Sequence, residues 1–137
     1  MTAASRPLLE TPFVLAGKRL RNRIVHASMT TLRARDGGTT AAQIQYYENR
    51  ARGGAAMIVT EPLTWSSLHD VVHKTRAWSE ANVDGLKRWA EAVESHDCRL
   101  LGQIQDPGRA RHNVGRHVNA IAPSALPDDL SWSMPRA

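Results

Sequence analysis

The chain has 137 residues, 42% hydrophobic and 23% charged, an ordinary composition for one folded domain that excludes a disordered class. It carries no apolar run of the roughly 18 residues a membrane helix needs, and its first ten residues lack the pattern of a secretory signal, so a cytoplasmic location is expected. The net charge of +5 comes from 15 Arg against 3 Lys, groups that favour anionic partners, although their scatter and the 13 acidic residues point mainly to pairing and solvation.

Residues 1–12 read as a polar, Pro-containing extension. Two short apolar runs on either side of Ala16-Gly17-Lys18 then predict a small hairpin over residues 13–20. A first strand is expected at residues 24–27, with His26 inside it as a satisfied core histidine. Gly37-Gly38 break the chain before a helix.

That helix is predicted over residues 41–52. Thr40 and Gln43 have capping-box spacing, in which each side chain satisfies a backbone donor of the other. Ile44, Tyr47 and Ala51 fall on one face that can be buried against a sheet. Arg50 and Arg52 sit where the helix dipole favours cations, and Gly53-Gly54 supply a left-handed stop.

Residues 55–60 are apolar without alternation and end in Glu61-Pro62, the pattern of a parallel strand buried on both faces. Residues 62–78 read as a long loop. His69 and His73 within it have the i, i+4 spacing of a metal pair, but the stretch has no helical face and no third ligand, so they are expected to be solvated and no metal site is assigned. A second helix is expected over residues 82–96, with Val83, Leu86, Ala90 and Val93 on its buried face. Cys98 has no internal disulfide partner and reads as a small buried hydrophobe before a third strand at residues 99–104.

From Asp106 onward the sequence reads as a long loop. Arg109, Arg111, His112, Arg116 and His117 form a basic stretch without an aromatic residue, hence without a stacking platform, and nucleic acid is not an expected partner. Asp128 and Asp129, after Pro127, read as a turn or helix start rather than a carboxylate pair.

Strand, helix, strand, helix, strand calls for a parallel sheet with right-handed crossovers. An open doubly wound sheet and a closed barrel both satisfy that order. The absence of a Gly-x-Gly-x-x-Gly turn after any strand argues against a dinucleotide-binding open sheet. In a parallel barrel the reactive face is built at the carboxyl ends of the strands. The residues to weigh there are Ala27, Ser28, Met29 and Thr30 after strand one, Glu61 and Pro62 after strand two, and Gln103 at the end of strand three.

Three stretches carry a resemblance: residues 22–30 (NRIVHASMT), 52–62 (RGGAAMIVTEP) and 99–109 (RLLGQIQDPGR). Together, in order and at matching spacing, they resemble the old yellow enzyme family, the flavin-dependent NAD(P)H oxidoreductases that include the 2,4-dienoyl-CoA reductases. The resemblance runs from about Leu8 to the end of the chain. It implies a partial (β/α)8 TIM barrel: the hairpin covering the barrel bottom, then about three β/α units in residues 13–137, truncated in the loop after strand three. A whole barrel needs about 250 residues.

The resemblance also implies the chemistry: FMN as cofactor, NAD(P)H as reductant, and hydride transfer through the flavin to an activated alkene or enoyl-type acceptor. Ala27, Ser28 and Met29 match the family's flavin-contacting turn, with Ser28 where proline is usual. Thr30 matches the residue whose side chain bonds the flavin and tunes its potential. Gln103, rather than Gln105, matches the glutamine on the pyrimidine edge, a role an amide suits because it both donates and accepts. Pro62 stands where a small residue faces the flavin with its backbone, and lacking an N–H it offers only its carbonyl. Asp106 replaces a common family histidine. The family's substrate-binding pair, its arginine under the flavin and its phosphate-holding loops have no counterpart here, and one cysteine provides no iron-sulfur site. No catalytic residue is therefore assigned. The expectation is a fragment inactive alone, isolated colourless or aggregated; the alternative is a non-catalytic remnant or subunit that associates with a complementary barrel chain or with itself.

Overall fold

The computed structural model describes residues 7–106, 108, 120–127 and 135–137. The basic stretch at residues 109–117 and the Asp128-Asp129 pair lie outside the described residues, as does the side chain of His69.

The antiparallel strands β1 (Phe13–Leu15) and β2 (Lys18–Leu20) form the hairpin. Its turn is tighter than the sequence suggested, because Lys18 already pairs with Leu15 and only Ala16 (φ 47°) and Gly17 (φ 75°) make the corner. Two left-handed residues in succession match the twist of the flanking strands. Leu20 is buried, and a cleft of about 670 Å³ lined by Leu15, Leu20, Met57, Arg99 and Leu101 separates the hairpin from the sheet.

The sheet has the order β3 (Val25–His26), β4 (Met57–Leu63), β5 (Arg99–Ile104), all parallel. The connections run through α1 (Ala41–Arg52) and α2 (Val83–Glu94). Val25, Met57 and Arg99 stand in one register row, so the three carboxyl ends point the same way. β3 is shorter than the predicted strand: Ala27 has already left the ladder. β4 is longer, running through Glu61 and Pro62 into Leu63, with a one-residue register shift between Val59 and Pro62. A bulge is one of the few places where a strand tolerates proline.

The bounds of α1 coincide with those predicted. The Thr40 hydroxyl accepts the Gln43 N–H at 3.1 Å, but Gln43 does not complete the capping box, because its side chain turns inward and is fully buried. Gln43, Tyr47 and Ala51 form the buried face, with Ile44 at its margin. Gly53 keeps a helical φ of −72°, and Gly54, at φ 113°, makes the left-handed exit. Arg21 donates to the carbonyls of Ala51 (2.5 Å) and Ala55 (2.9 Å), and the Asn22 amide to that of Gly54 (2.8 Å). Carbonyls left over at a helix end thus receive a cation and an amide, fixing β3 against the end of α1.

The inward face of α2 is Gly85, Trp89 and Val93, with Leu86 partly buried. Val83, expected inside, is 57% exposed. Spacing alone placed the face too far around, because it counted aliphatic residues and passed over the tryptophan that forms the centre. Trp89 meets Tyr47 with ring centroids 4.8 Å apart, joining the helices. A Cβ at Gly85 would collide with the Thr39 hydroxyl, so glycine is what lets α2 lie this close to the segment before α1.

The core consists of Tyr47, Ala51, Ala55, Ile58, Leu63, Trp89, Val93 and Cys98, on the helix side of the sheet. Burial pushes the Cys98 thiol up to about 11, as suits a structural rather than reactive cysteine. By the alternation of strand side chains, Val25, Arg99 and Leu101 lie on the opposite face. There Val25 and Leu101 remain 44% and 43% exposed.

His26 points to the helices, its ring edge-on to Tyr46 and Tyr47 at centroid distances of 6.1 and 6.0 Å. It is not the satisfied histidine expected from the sequence, since its buried Nδ1 has no hydrogen-bond partner. Burial first, then the Arg50 charge, holds its pKa below the ordinary 6.5. The unfolded chain therefore takes up the proton at a higher pH than the folded one does. This contribution to stability is intact above pH 6.5 and is lost as the pH falls through the folded value. Denaturant unfolding at pH 7.5 and 5 is expected to show a smaller acid loss in His26→Phe than in the parent, and equal losses would refute this origin.

Candidate functional site

Three groups stand at the carboxyl ends of the sheet. Residues 27–30 leave β3, with Ala27 and Thr30 exposed, Ser28 half-buried and Met29 59% exposed. Pro62 is buried beside the bulge of β4 and pairs in register with half-buried Gln103 of β5. The structure brings the sequence-predicted residues to one end of three neighbouring strands.

Gln103 has a divided environment. Its N–H donates to the Thr60 hydroxyl at 3.0 Å, while its side-chain Oε1 is buried and has no partner. Buried polar atoms are nearly always paired, so an unpaired amide oxygen at a strand tip marks a candidate position for a ligand bond. Gln105 differs, because its side chain accepts the Lys74 ammonium at 3.0 Å.

The loop after β3 is fixed by a carboxylate that sequence reading noticed but gave no role. Glu61 is fully buried, and it accepts the Thr31 N–H and hydroxyl, both at 2.7 Å, and the Leu32 N–H at 3.2 Å. It also accepts the Gln43 amide at 2.5 Å, and Gln43 continues to Thr75 at 3.2 Å. The Glu61 N–H donates to the Tyr47 hydroxyl at 2.7 Å. Burial raises the Tyr47 phenol above its ordinary value, which keeps this hydroxyl protonated. Gln43 and Tyr47, one helical turn apart, thus grip the side chain and the backbone of the same glutamate. Thr31 and Thr60 are the residues sequence reasoning missed, and Glu61 and Gln43 those it noted without this role; the available signal was a charge at the end of an apolar run.

The loop after β4 is more ordered than the sequence suggested. Thr64 bridges Arg76, and a 3-10 turn spans Ser67–His69. Arg76 donates to both Asp70 oxygens at 2.7 and 2.5 Å and to the Asp36 carbonyl at 2.8 Å. A side chain at Gly37, where φ is 76°, would strike the Arg76 guanidinium, so this turn accepts the arginine only because glycine stands there. Among the described residues no group of three or more His, Cys, Asp and Glu could hold a metal ion, and no helix is long and apolar enough to cross a membrane.

The fold recurs in solved structures. Morphinone reductase in complex with tetrahydroNAD superposes with a TM-score of 0.82 at 28% identity, covering 96% of this chain and 40% of that one. The old yellow enzyme homologue from Zymomonas mobilis gives 0.75 at 25% identity, covering 96% and 39%. Among curated proteins, a probable flavin mononucleotide-dependent alkene reductase of Leishmania infantum is 31% identical over 132 residues, which is 92% of this chain and 36% of that protein. A metal reductase of Desulforamulus reducens is 30% identical over 128 residues, 93% of this chain and 19% of that protein. The chain therefore spans between a fifth and two fifths of the length of these relatives, and its hairpin and parallel β/α units correspond to part of an old yellow enzyme TIM barrel. The sequence model of the NADH:flavin oxidoreductase / NADH oxidase family matches residues 9–135, and the chain belongs to that family.

Proposed function

We propose that this chain, in its residues 13–137, forms the N-terminal part of an FMN-dependent NAD(P)H oxidoreductase barrel acting in the cytoplasm, with residues 1–12 as an extension. The observation that carries the reading is the buried, unpaired Gln103 oxygen at the same end of the sheet as residues 27–30. Ala27, Ser28 and Met29 would supply an apolar wall for the ring, the Thr30 hydroxyl and Gln103 amide its hydrogen bonds, and Pro62 a backbone carbonyl. These are groups a flavin site needs, so the residues present fit the cofactor. Bound FMN supplies the hydride relay between NAD(P)H and an activated alkene or enoyl acceptor. The chain's own part is to orient the ring, exclude water from one face and offer hydrogen bonds to its polar edge.

A graft tests this: the chain replaces the matched 40% of morphinone reductase. A yellow protein with stoichiometric FMN is expected, and Gln103→Ala is expected to weaken FMN by about tenfold, the worth of a hydrogen bond to a buried polar group. A graft that folds but retains no flavin would overturn the reading. The isolated chain is expected to purify colourless or as an aggregate.

A second reading, a non-catalytic subunit completed by a complementary barrel chain, is favoured by the exposed Val25 and Leu101 on the helix-free face. Co-expression with the remaining part of such a barrel distinguishes it, since a soluble complex without flavin is its expected outcome.

A further inference from the structure

The two walls of the candidate site hang on two successive residues of one bulge. Between Val59 and Pro62, β4 carries one more residue than β5 carries between Leu101 and Gln103. A bulge frees a residue from the ladder and re-aims its side chain. Here Thr60 and Glu61 turn in different directions, each toward a different neighbouring strand tip.

Toward β3, the Glu61 carboxylate takes the Thr31 N–H and hydroxyl and the Leu32 N–H. Among the described residues, the hydrogen bonds of residues 28–32 are those of Thr31 and Leu32, and all three end on Glu61, just beyond residues 27–30. Leu32 sits at φ 55°, a conformation rare for leucine that needs such support. Toward β5, the Thr60 hydroxyl takes the Gln103 N–H and donates to the Glu61 carbonyl at 2.8 Å. The carboxylate is itself braced from α1 by Gln43.

We propose that Thr60 and Glu61 are the positioning residues of the cofactor wall: they set residues 27–30 and Gln103 in a fixed relation without touching the cofactor. This rests on the FMN reading above and deepens it. A bond lost at Thr31 leaves the core unchanged but releases the loop, so flavin affinity should fall out of proportion to folding stability.

The test uses the full chain completed by the remainder of morphinone reductase, as in the graft above, and FMN itself, with Glu61→Gln, Thr31→Val and the conservative Thr31→Ser. Amide exchange at Thr31 and Leu32 is measured without flavin, thermal unfolding alongside it, and FMN affinity by quenching of flavin fluorescence. Glu61→Gln and Thr31→Val are each expected to speed exchange at Thr31 and Leu32 by about tenfold and to weaken FMN by about fivefold, whereas Thr31→Ser, which keeps the hydroxyl donor, should restore both. Unchanged exchange in Thr31→Val overturns the proposal, as does faster exchange with undiminished FMN affinity, which is the mark of a merely structural bond. If Glu61→Gln does not fold, the Thr31 pair decides alone. Should the graft with the parent sequence fail to quench flavin, the FMN reading fails by itself, and the exchange data still judge whether Glu61 holds the wall.

Discussion

Trp89→Ala is expected to remove about 3–5 kcal/mol of folding stability, the range for deleting a large buried aromatic side chain. Trp89 is 1% exposed and lies where α2, α1 and the sheet meet, against Tyr47. Domains of this size hold only about 5–15 kcal/mol in all, so the variant should be mostly unfolded at moderate temperature. Its Nε1 is buried without a partner, which makes Trp89→Phe informative. Phenylalanine keeps most of the ring contact and removes an unpaired donor, so it should cost less than half as much. Urea unfolding followed by circular dichroism measures both, and a loss below about 1 kcal/mol for alanine would show that the two helices do not depend on this contact.

The double substitution Val25→Lys and Leu101→Lys is expected to turn an associating chain into a monomer. β3 and β5 each have one strand neighbour among the described residues, and these two side chains lie on the face without helices. Open parallel edges beside apolar side chains template further pairing, and charges on edge strands are the usual defence. Covering each half-exposed side chain in a self-contact is worth about 1 kcal/mol, so removing both should raise the concentration needed for association by at least about tenfold. Sedimentation across a concentration series reads this directly. An unchanged mass distribution would place the association elsewhere on the surface.

What could be read in the sequence follows from how local its determinants are. α1 was legible at both ends because Thr40, the terminal arginines and the glycine pair act within a few residues. β5 was legible because its apolar run ends where its pairing ends. β4 was read too short because a glutamate and a proline ordinarily stop a strand; here partners 18 and 30 residues away satisfy the glutamate, and a bulge absorbs the proline. The α2 face was misplaced because Trp89 follows Lys87 and Arg88 and does not register in an aliphatic count. At the candidate site, the residues at the strand tips could be named from motif order, whereas the carboxylate behind them could not, since nothing local links Glu61 to Thr31. Structure overrode local preference where a polar network had been built.

The contact between Gly85 and Thr39 carries a consequence for the descent of this chain. Because the Thr39 hydroxyl occupies the volume a side chain at position 85 would need, position 85 cannot gain a side chain while that hydroxyl stays where it is. A lineage acquiring alanine at position 85 has three routes: a turned Thr39 side chain, a smaller residue at position 39, or a wider spacing of the helices with a loosened aromatic junction behind them. Alanine at position 85 together with a smaller residue at position 39 would mark a lineage that kept the spacing by exchange rather than by rotation.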